Sequence, residues 1–305
     1  MKIFINKAGE SWVVDRFRNE WIKNSNFKTR FIHKSDIVWI IAPWMWKSLQ
    51  KNKLVNKKVM CTIHHIDLEK FDKKEKEDFY LRDKLVDEYH VPSLSSYKQL
   101  KNFTDKKINV IPFWIDNNKY FEIHDKNNLR KKYQIPEEKY VVGSFQRDTE
   151  GKDLISPKLS KGPDKFIRFL KEMSIDNKDI FVLLSGYRRQ YIIQQLESLN
   201  IDYKYVKKPS ISVLNELYNT LDLYLVASRV EGGPQSIMEC SLIKVPIIST
   251  NVGLAEEILS KKSIIKNDIN SVLPDIDHAR KQVEDYIIPN GIIKFEEMFI
   301  RLYEN

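Results

Sequence analysis

A chain of 305 residues, 42% hydrophobic and 30% charged, has the material for two ordinary domains and excludes wholesale disorder. Its longest apolar run, around "VWIIAPWMW", is too short to cross a bilayer. Cys61 and Cys240 stand far apart with no metal or redox spacing, which reads as two reduced core thiols. The formal net charge of +9 suits an anionic partner or a Lys-rich solvated surface. The lysines are spread along the chain without a nucleic-acid motif, so no nucleic-acid partner is expected.

In chain order, "KIFI", "DIVWIIA", "KVMCTI", "LVDEYHVP" and "INVIP" are strand candidates in the first third. "MKIF" leads straight into polar "NKAGES", so a signal peptide is not expected, and a cytoplasmic location is. "KFDKKEKEDF" mixes both signs and reads as a solvated helix face. Residues 113–139 are polar and charged with no buried strand, which places a domain boundary near Asp116. The series restarts with "YVVGSF", "DIFVLLSG", "YKYV", "LDLYLVAS" and "VPIIST", separated by helix-like "GPDKFIRFLKEM", "RRQYIIQQLESL" and "SVLNELYNT". Continuous apolar strands alternating with helices predict parallel sheets covered on both faces, an α/β architecture. The expected division is an N-terminal domain over 1–115, a C-terminal domain over 116–290, and a terminal helix over 291–305, "GIIKFEEMFIRLY", packed back on the body.

The stretch "EGGPQSIME" sets Glu231 and Glu239 on either side of a glycine turn, after strand-like "LYLVAS" and before helix-like "SIMECSL". Ligands of open parallel sheets bind beyond the carboxyl ends of strands. Gly232 and Gly233 let backbone approach a ligand closely, and Pro234 suits the first helical turn. The free N–H groups of the helix start, at Gln235 and Ser236, favour phosphate. A carboxylate at Glu239 can accept from a ribose diol, and Glu231 can meet a second polyol. A plain strand–helix turn with dipole-stabilising glutamates has the same local pattern.

Context distinguishes them. "LDLYLVASRVEGGPQSIMECSLIKVPIISTNVGLAEEIL", "NVIPFWIDNNKYF", "YVVGSFQRDTEGKDLISPKLSKGPDKFIRFL" and, more weakly, "KVMCTIHHID" resemble, in order, segments of the GT-B fold glycosyltransferases of family 4. The resemblance implies two Rossmann-like domains facing a cleft. The C-terminal one would bind a nucleoside-diphosphate sugar and the N-terminal one a glycan or glycolipid acceptor, in surface polysaccharide or glycoconjugate synthesis. It implies transfer with retention and the diphosphate as leaving group. Glu239 would bind the donor ribose, and Glu231 the transferred sugar. Gly232 and Gly233 would offer amides, and Lys161 would neutralise the diphosphate. His64 would lie by the reacting sugar, with His65 its neighbour on the acceptor side. Gly143 and Ser144 fall at the donor loop, where the family's arginine is replaced by Ser144; Arg147, or else Lys152, is the expected substitute cation.

Trp44 and Trp46, near Trp39, are candidates for an aromatic wall against an acceptor sugar or lipid. Lys47, Lys51 and Lys53 beside them are candidates for peripheral attachment to an anionic inner-membrane face. Asp275 and Asp277 form a D-x-D outside the nucleotide-binding pattern and read as a loop or helix cap. No metal and no cofactor beyond the donor substrate are expected. The rival readings are a GT-B fold nucleotide-sugar epimerase or phosphorylase and, more remotely, a non-enzymatic basic protein that binds polyanions or membranes.

Overall fold

Short runs rich in Ile and Val become strands because branched side chains pack well on a pleated surface and lose little there. The computed structural model describes residues 1–10, 13–175 and 179–304. Its strands are β1 (Ile3–Ile5), β2 (Lys28–Thr29), β3 (Ile37–Ile40), β4 (Lys58–Thr62), β5 (Glu88–Val91), β6 (Ile108–Val110), β7 (Tyr140–Ser144), β8 (Ile180–Gly186), β9 (Tyr203–Lys207), β10 (Leu223–Val226), β11 (Ile247–Thr250) and β12 (Ile264–Ile265). The α-helices are α1 (Val13–Asn24), α2 (Lys73–Asp83), α3 (Leu94–Leu100), α4 (Lys126–Lys132), α5 (Pro163–Ile175), α6 (Gln190–Ser198), α7 (Ile211–Tyr218), α8 (Gln235–Leu242), α9 (Ala255–Ile258), α10 (Ile276–Val283) and α11 (Asn290–Glu304). Each expected run holds a strand; β2 and β12, of two residues each, are too short to leave a pattern.

The chain forms two units: Met1–Trp114 with Asp285–Asn305, and Ile115–Glu284. The return to the first unit thus begins a few residues before the terminal helix. The first unit carries a six-stranded parallel sheet in the order β2-β1-β3-β4-β5-β6. One face is covered by α1 and α11, whose Trp21, Phe295 and Phe299 pack with Trp39, Phe113 and Trp114. The Trp114 indole N–H donates to Glu20 Oε2 at 2.9 Å, so its polar edge is not left bare. The other face holds a second cluster that includes Trp46, Phe79 and Tyr89. Helix α2, drawn from the mixed-charge segment, starts at Asp72, whose carboxylate accepts from the Glu75 N–H.

The second unit has six parallel strands in the order β12-β11-β10-β7-β8-β9. Chain order reverses between β7 and β10: β8 and β9 lie to one side, β11 and β12 to the other. That is the doubly wound arrangement, with its crevice at the carboxyl ends of β7 and β10. The polar stretch after Trp114 forms no strand. Its helix α4 is tied to the sheet by Arg130, which donates to the Thr220 carbonyl and pairs with Asp222 at 2.6 Å. Asp275 is the N-cap of α10 and accepts from the His278 N–H, which gives the D-x-D a capping role.

Candidate active site

The crevice of the second unit is assembled by the loops that follow β7 and β10. After β10, Ser228 is fully buried and its Oγ lies 3.2 Å from Glu231 Oε1. The long loop after β7 ends at Lys161, whose Nζ meets the same Glu231 oxygen at 2.5 Å. Residues 70 positions apart therefore form a half-buried ion pair at the switch point. The pairing is held by backbone. Arg229 and Val230 N–H groups both donate to the Ser160 carbonyl, and Gln146 Nε2 donates to the Lys161 carbonyl at 2.8 Å. Gly162 makes this approach feasible. Its φ is +62°, and a Cβ there would stand 1.9 Å from the Ala227 carbonyl oxygen, so only glycine fits. A bidentate Arg229–Asp164 pair at 2.6 Å ties the start of α5 to the same loop.

Pro234 sits at the cap position of α8, one residue before the helix. Among the described residues nothing accepts from the amides of Gly232 and Gly233. Gly253 presses on this turn: its φ is +56°, and a Cβ would meet the Gly232 carbonyl oxygen at 2.7 Å. Gln235 opens the helix and Ser236 follows it, while the Tyr224 hydroxyl accepts from the Phe145 N–H at 3.0 Å.

Glu239 lies deeper, only 4% exposed. Its Oε2 accepts from the Tyr218 hydroxyl at 2.8 Å. Burial, and then the Glu239 charge, push the Tyr218 phenol well above its ordinary value, so it stays a donor. Phe145, Tyr218 and Tyr224 pack ring to ring around it. The neighbouring Cys240 thiol is pushed up by the same burial and charge, and Cys61 is pushed up to about 11 by burial; both are free thiols held in the inert form.

Arg147 turns its Nε to the Thr149 carbonyl of its own loop at 2.6 Å, and Lys152 is exposed. The guanidinium that meets Ser144 belongs to Arg189. It is fully buried, donates to the carbonyl and hydroxyl oxygens of Ser144 and to the Ser185 carbonyl, and pairs with Asp148 at 2.8 Å. Gly143 and Ser144 are themselves buried. Gly143 has a packing reason to be glycine, since a Cβ would fall 2.4 Å from Leu221 Cδ1.

In the first unit, His64 follows β4 and its Nε2 hydrogen-bonds the Ile41 carbonyl at 2.8 Å. The ring stacks on Phe113 and lies 5.9 Å from Trp44. Burial pushes its pKa down to about 4, so the imidazole is neutral near pH 7, with Nε2–H donating and Nδ1 left as an acceptor. His65 is exposed. The aromatic wall reduces to Trp44, which is 47% exposed; Trp39 and Trp46 are core residues, and the Trp46 indole donates to Asp78. Lys47 pairs with the same Asp78 at 2.5 Å, while Lys51 and Lys53 are exposed.

The residues that motif reading missed are the supports: Gln146, Ser228, Gly162, Gly253, Tyr218 and Arg189. Gly162 beside Lys161 in "KGP", Ser228 in "LVAS" and Gly253 in "NVG" lie in the segments that carry the resemblance; Tyr218 and Arg189 lie outside them.

Residues 125–286 match the model of the family "Glycosyl transferases group 1". The chain belongs to that family. It is 25% identical over 183 residues to an O-antigen biosynthesis glycosyltransferase, WclY, of Escherichia coli, covering 57% of this chain and 47% of that protein. It is 24% identical over 289 residues to a 2-deoxystreptamine N-acetyl-D-glucosaminyltransferase of Niallia circulans, covering 89% and 72%. The chain thus spans about half the length of the first of these relatives. Among solved structures, Anabaena HepE in complex with UDP and glucose superposes with a TM-score of 0.65 at 13% identity, covering 93% of this chain and 89% of that one. A glycosyltransferase from Rickettsia africae gives 0.68 at 17% identity, covering 98% and 84%. The shared architecture is that of GT-B glycosyltransferases.

Proposed function

We propose that the chain transfers a sugar from a nucleoside-diphosphate sugar to a glycan or glycolipid acceptor, with retention of configuration. The second unit is the donor domain and the first the acceptor domain. The observation that carries the reading is the Lys161–Glu231 ion pair at the switch point, beside the unengaged Gly232 and Gly233 amides. A diphosphate arriving there competes with Glu231 for the Lys161 ammonium. Glu231, released from that contact, is free to accept from hydroxyls of the transferred sugar. As the bond to the leaving oxygen breaks, Lys161 and the turn amides meet the charge that develops on the diphosphate. Pre-aimed donors of this kind are usually a large catalytic term. Glu239, held by Tyr218, offers its other oxygen to the donor ribose.

On the acceptor side, neutral His64 presents Nδ1 as an acceptor beside exposed Trp44, a surface suited to a sugar face. In this reading the transfer is front-face and assisted by the leaving diphosphate, without a covalent intermediate. Among the described residues no cluster of acidic, His and Cys side chains fits a metal ion. In this reading lysine and backbone amides carry the phosphate charge, and transfer proceeds in chelator. HepE, the neighbour whose complexes contain UDP and glucose, suggests uridine nucleotides as the first donors to try.

The test is a thermal-shift panel of nucleotide sugars, followed by product analysis with the stabilising donor alone and with glycan acceptors. A native-state ligand at a hundredfold its dissociation constant adds about 2.7 kcal/mol. Transfer only when acceptor is present is expected. Epimerised donor formed without acceptor would establish the epimerase instead, and turnover lost in chelator and restored by magnesium would refute the metal-free mechanism.

A further inference from the structure

On the first unit an open groove of about 540 Å³ is lined by Arg18, Asn19, Ile22, Lys23 and Arg30. Three of these carry positive charge, and none is acidic. Arg18 is half-buried on α1, and its Nε donates to the carbonyl of Ile5, the last residue of β1, at 3.2 Å. That bond holds the guanidinium by Nε, and among the described residues its two terminal nitrogens donate to nothing. Arg30 follows immediately on β2, which runs parallel to β1. The groove therefore runs along α1 on the β1/β2 side of the sheet, with Arg18 and Arg30 at the carboxyl ends of those two strands and Lys23 in the last turn of the helix.

The charge balance is unusual. Among the described residues, the side chains of Arg18, Lys23 and Arg30 form no ion pair with a carboxylate within 4 Å. Asp15 lies close enough to favour the charged Arg18, but its oxygens accept from the amides of Ala8 and Glu10. Burial first, and then the neighbouring Arg30, push the Arg18 pKa down. An arginine stays protonated all the same, so Arg18 and Arg30 keep two like charges near one another, which the Asp15 charge offsets in part. A fold tolerates this where an anion from outside completes the site. Guanidinium forks match tetrahedral oxyanions by paired N–H···O bonds.

We propose that this groove binds a phosphate or diphosphate group. Given the reading of the first unit as the acceptor domain, it holds the phosphate-bearing end of the acceptor. The anion site itself stands on Arg18, Lys23 and Arg30 and does not need that reading.

Calorimetry with inorganic pyrophosphate tests it on the full chain. The variants are Arg18→Gln/Arg30→Gln, Arg30→Glu alone, and Lys161→Ala. Arg30 is exposed, so its reversal leaves the fold intact even if the double variant fails to fold. Lys161→Ala keeps the groove while removing the cation of the second unit. The expected result is a binding event kept in Lys161→Ala and weakened about tenfold or more in both groove variants, the usual scale for losing bonds between charged groups. Pyrophosphate binding that is unchanged in both groove variants overturns the proposal. A signal lost only in Lys161→Ala overturns it too, and leaves the donor reading standing. Vesicles of phosphatidylcholine with and without phosphatidylglycerol identify the source. Arg30-dependent sedimentation on the anionic vesicles assigns a lipid headgroup; pyrophosphate binding without sedimentation assigns a soluble phosphorylated acceptor.

Discussion

Each unit lays six parallel strands side by side, and the two differ in what stands at the strand ends. In the second, β7 and β10 lead into charged side chains held against each other, Lys161 on Glu231 and Arg189 on Asp148. In the first, β4 and β5 carry neutral imidazoles packed among aromatic rings. His90 is fully buried: its Nδ1 accepts from the Thr62 hydroxyl, which in turn accepts from the Trp39 indole, and its Nε2 donates to the Ile111 carbonyl. A diphosphate needs cations and amides. A sugar hydroxyl needs weak, neutral partners beside a flat ring. The same scaffold thus presents two different surfaces, charged side chains after β7 and β10 and aromatic packing at β4 and β5.

Several changes break the contrast, beginning with the largest. Arg189→Met strands the buried Asp148 carboxylate. Loss of one partner of a buried pair costs about 3–5 kcal/mol, and the second unit should unfold correspondingly earlier in urea. All six tryptophans precede Ile115, so tryptophan fluorescence reports the first unit alone, and a fluorescence transition left in place while circular dichroism shifts is the expected signature. An unshifted dichroism curve would mean that Arg189 bears no such weight.

Lys161→Ala should lower turnover about 10²–10³-fold, the scale for removing one preorganised donor to a developing charge, with a much smaller effect on binding of the nucleoside alone. Steady-state rates with the donor found in the thermal-shift panel decide it; wild-type turnover would remove Lys161 from catalysis. Glu239→Ala should weaken nucleoside-diphosphate binding by about 2–4 kcal/mol through lost hydrogen bonds to a charged group. Calorimetry reads that loss, and Tyr218→Phe, which frees the carboxylate to turn, should give a smaller loss of the same sign.

The last comparison is in acid, where two histidines act together. Burial holds His64 down to about 4 and His90 down to about 3, against an ordinary 6.5. Both folded values lie below the unfolded one, so falling pH protonates the unfolded chain first. The contribution of the neutral imidazoles is full above about pH 6.5 and declines toward pH 4, at up to about 1.4 kcal/mol per pH unit for each histidine. In the second unit Asp222 lies below the usual carboxylate range: burial opposes this, but Lys126, the Val141 N–H and Arg130 outweigh it. Its contribution persists until pH falls below about 3.8. Tryptophan fluorescence melts between pH 7.5 and 4.5 should therefore move, and His90→Asn should flatten the slope. A flat wild-type profile would mean that the imidazoles are hydrated.

The layered fold was legible because buried parallel strands are continuous apolar runs, and the ends of "DIVWIIA" or "DIFVLLSG" need no tertiary knowledge. The Lys161–Glu231 association was legible only as a resemblance of segments; nothing local says that residues 70 apart will meet. Arg189 was hidden altogether. In "YRRQYI" it looks like a surface arginine, and only the crossover from β8 to α6 turns it under Ser144. Trp46 failed in the opposite sense: it sits beside exposed Trp44 in sequence, yet the helical turn over Pro43–Ser48 sends the two indoles to different sides. Packing decides both, and packing is not a local property.

The loop between β7 and Lys161 is pinned at both ends and open in the middle. Arg189 clamps Asp148, a bridge joins Thr149 to Pro157, and Gly162 seats against Ala227; between them residues 151–156 are exposed. Length added at that tip carries little closure cost and does not alter where Lys161 is delivered. The tip is accordingly a place to graft a fluorophore, an affinity handle or a carbohydrate-binding peptide a few residues from the Lys161–Glu231 pair, with the register of Lys161 left to the anchors.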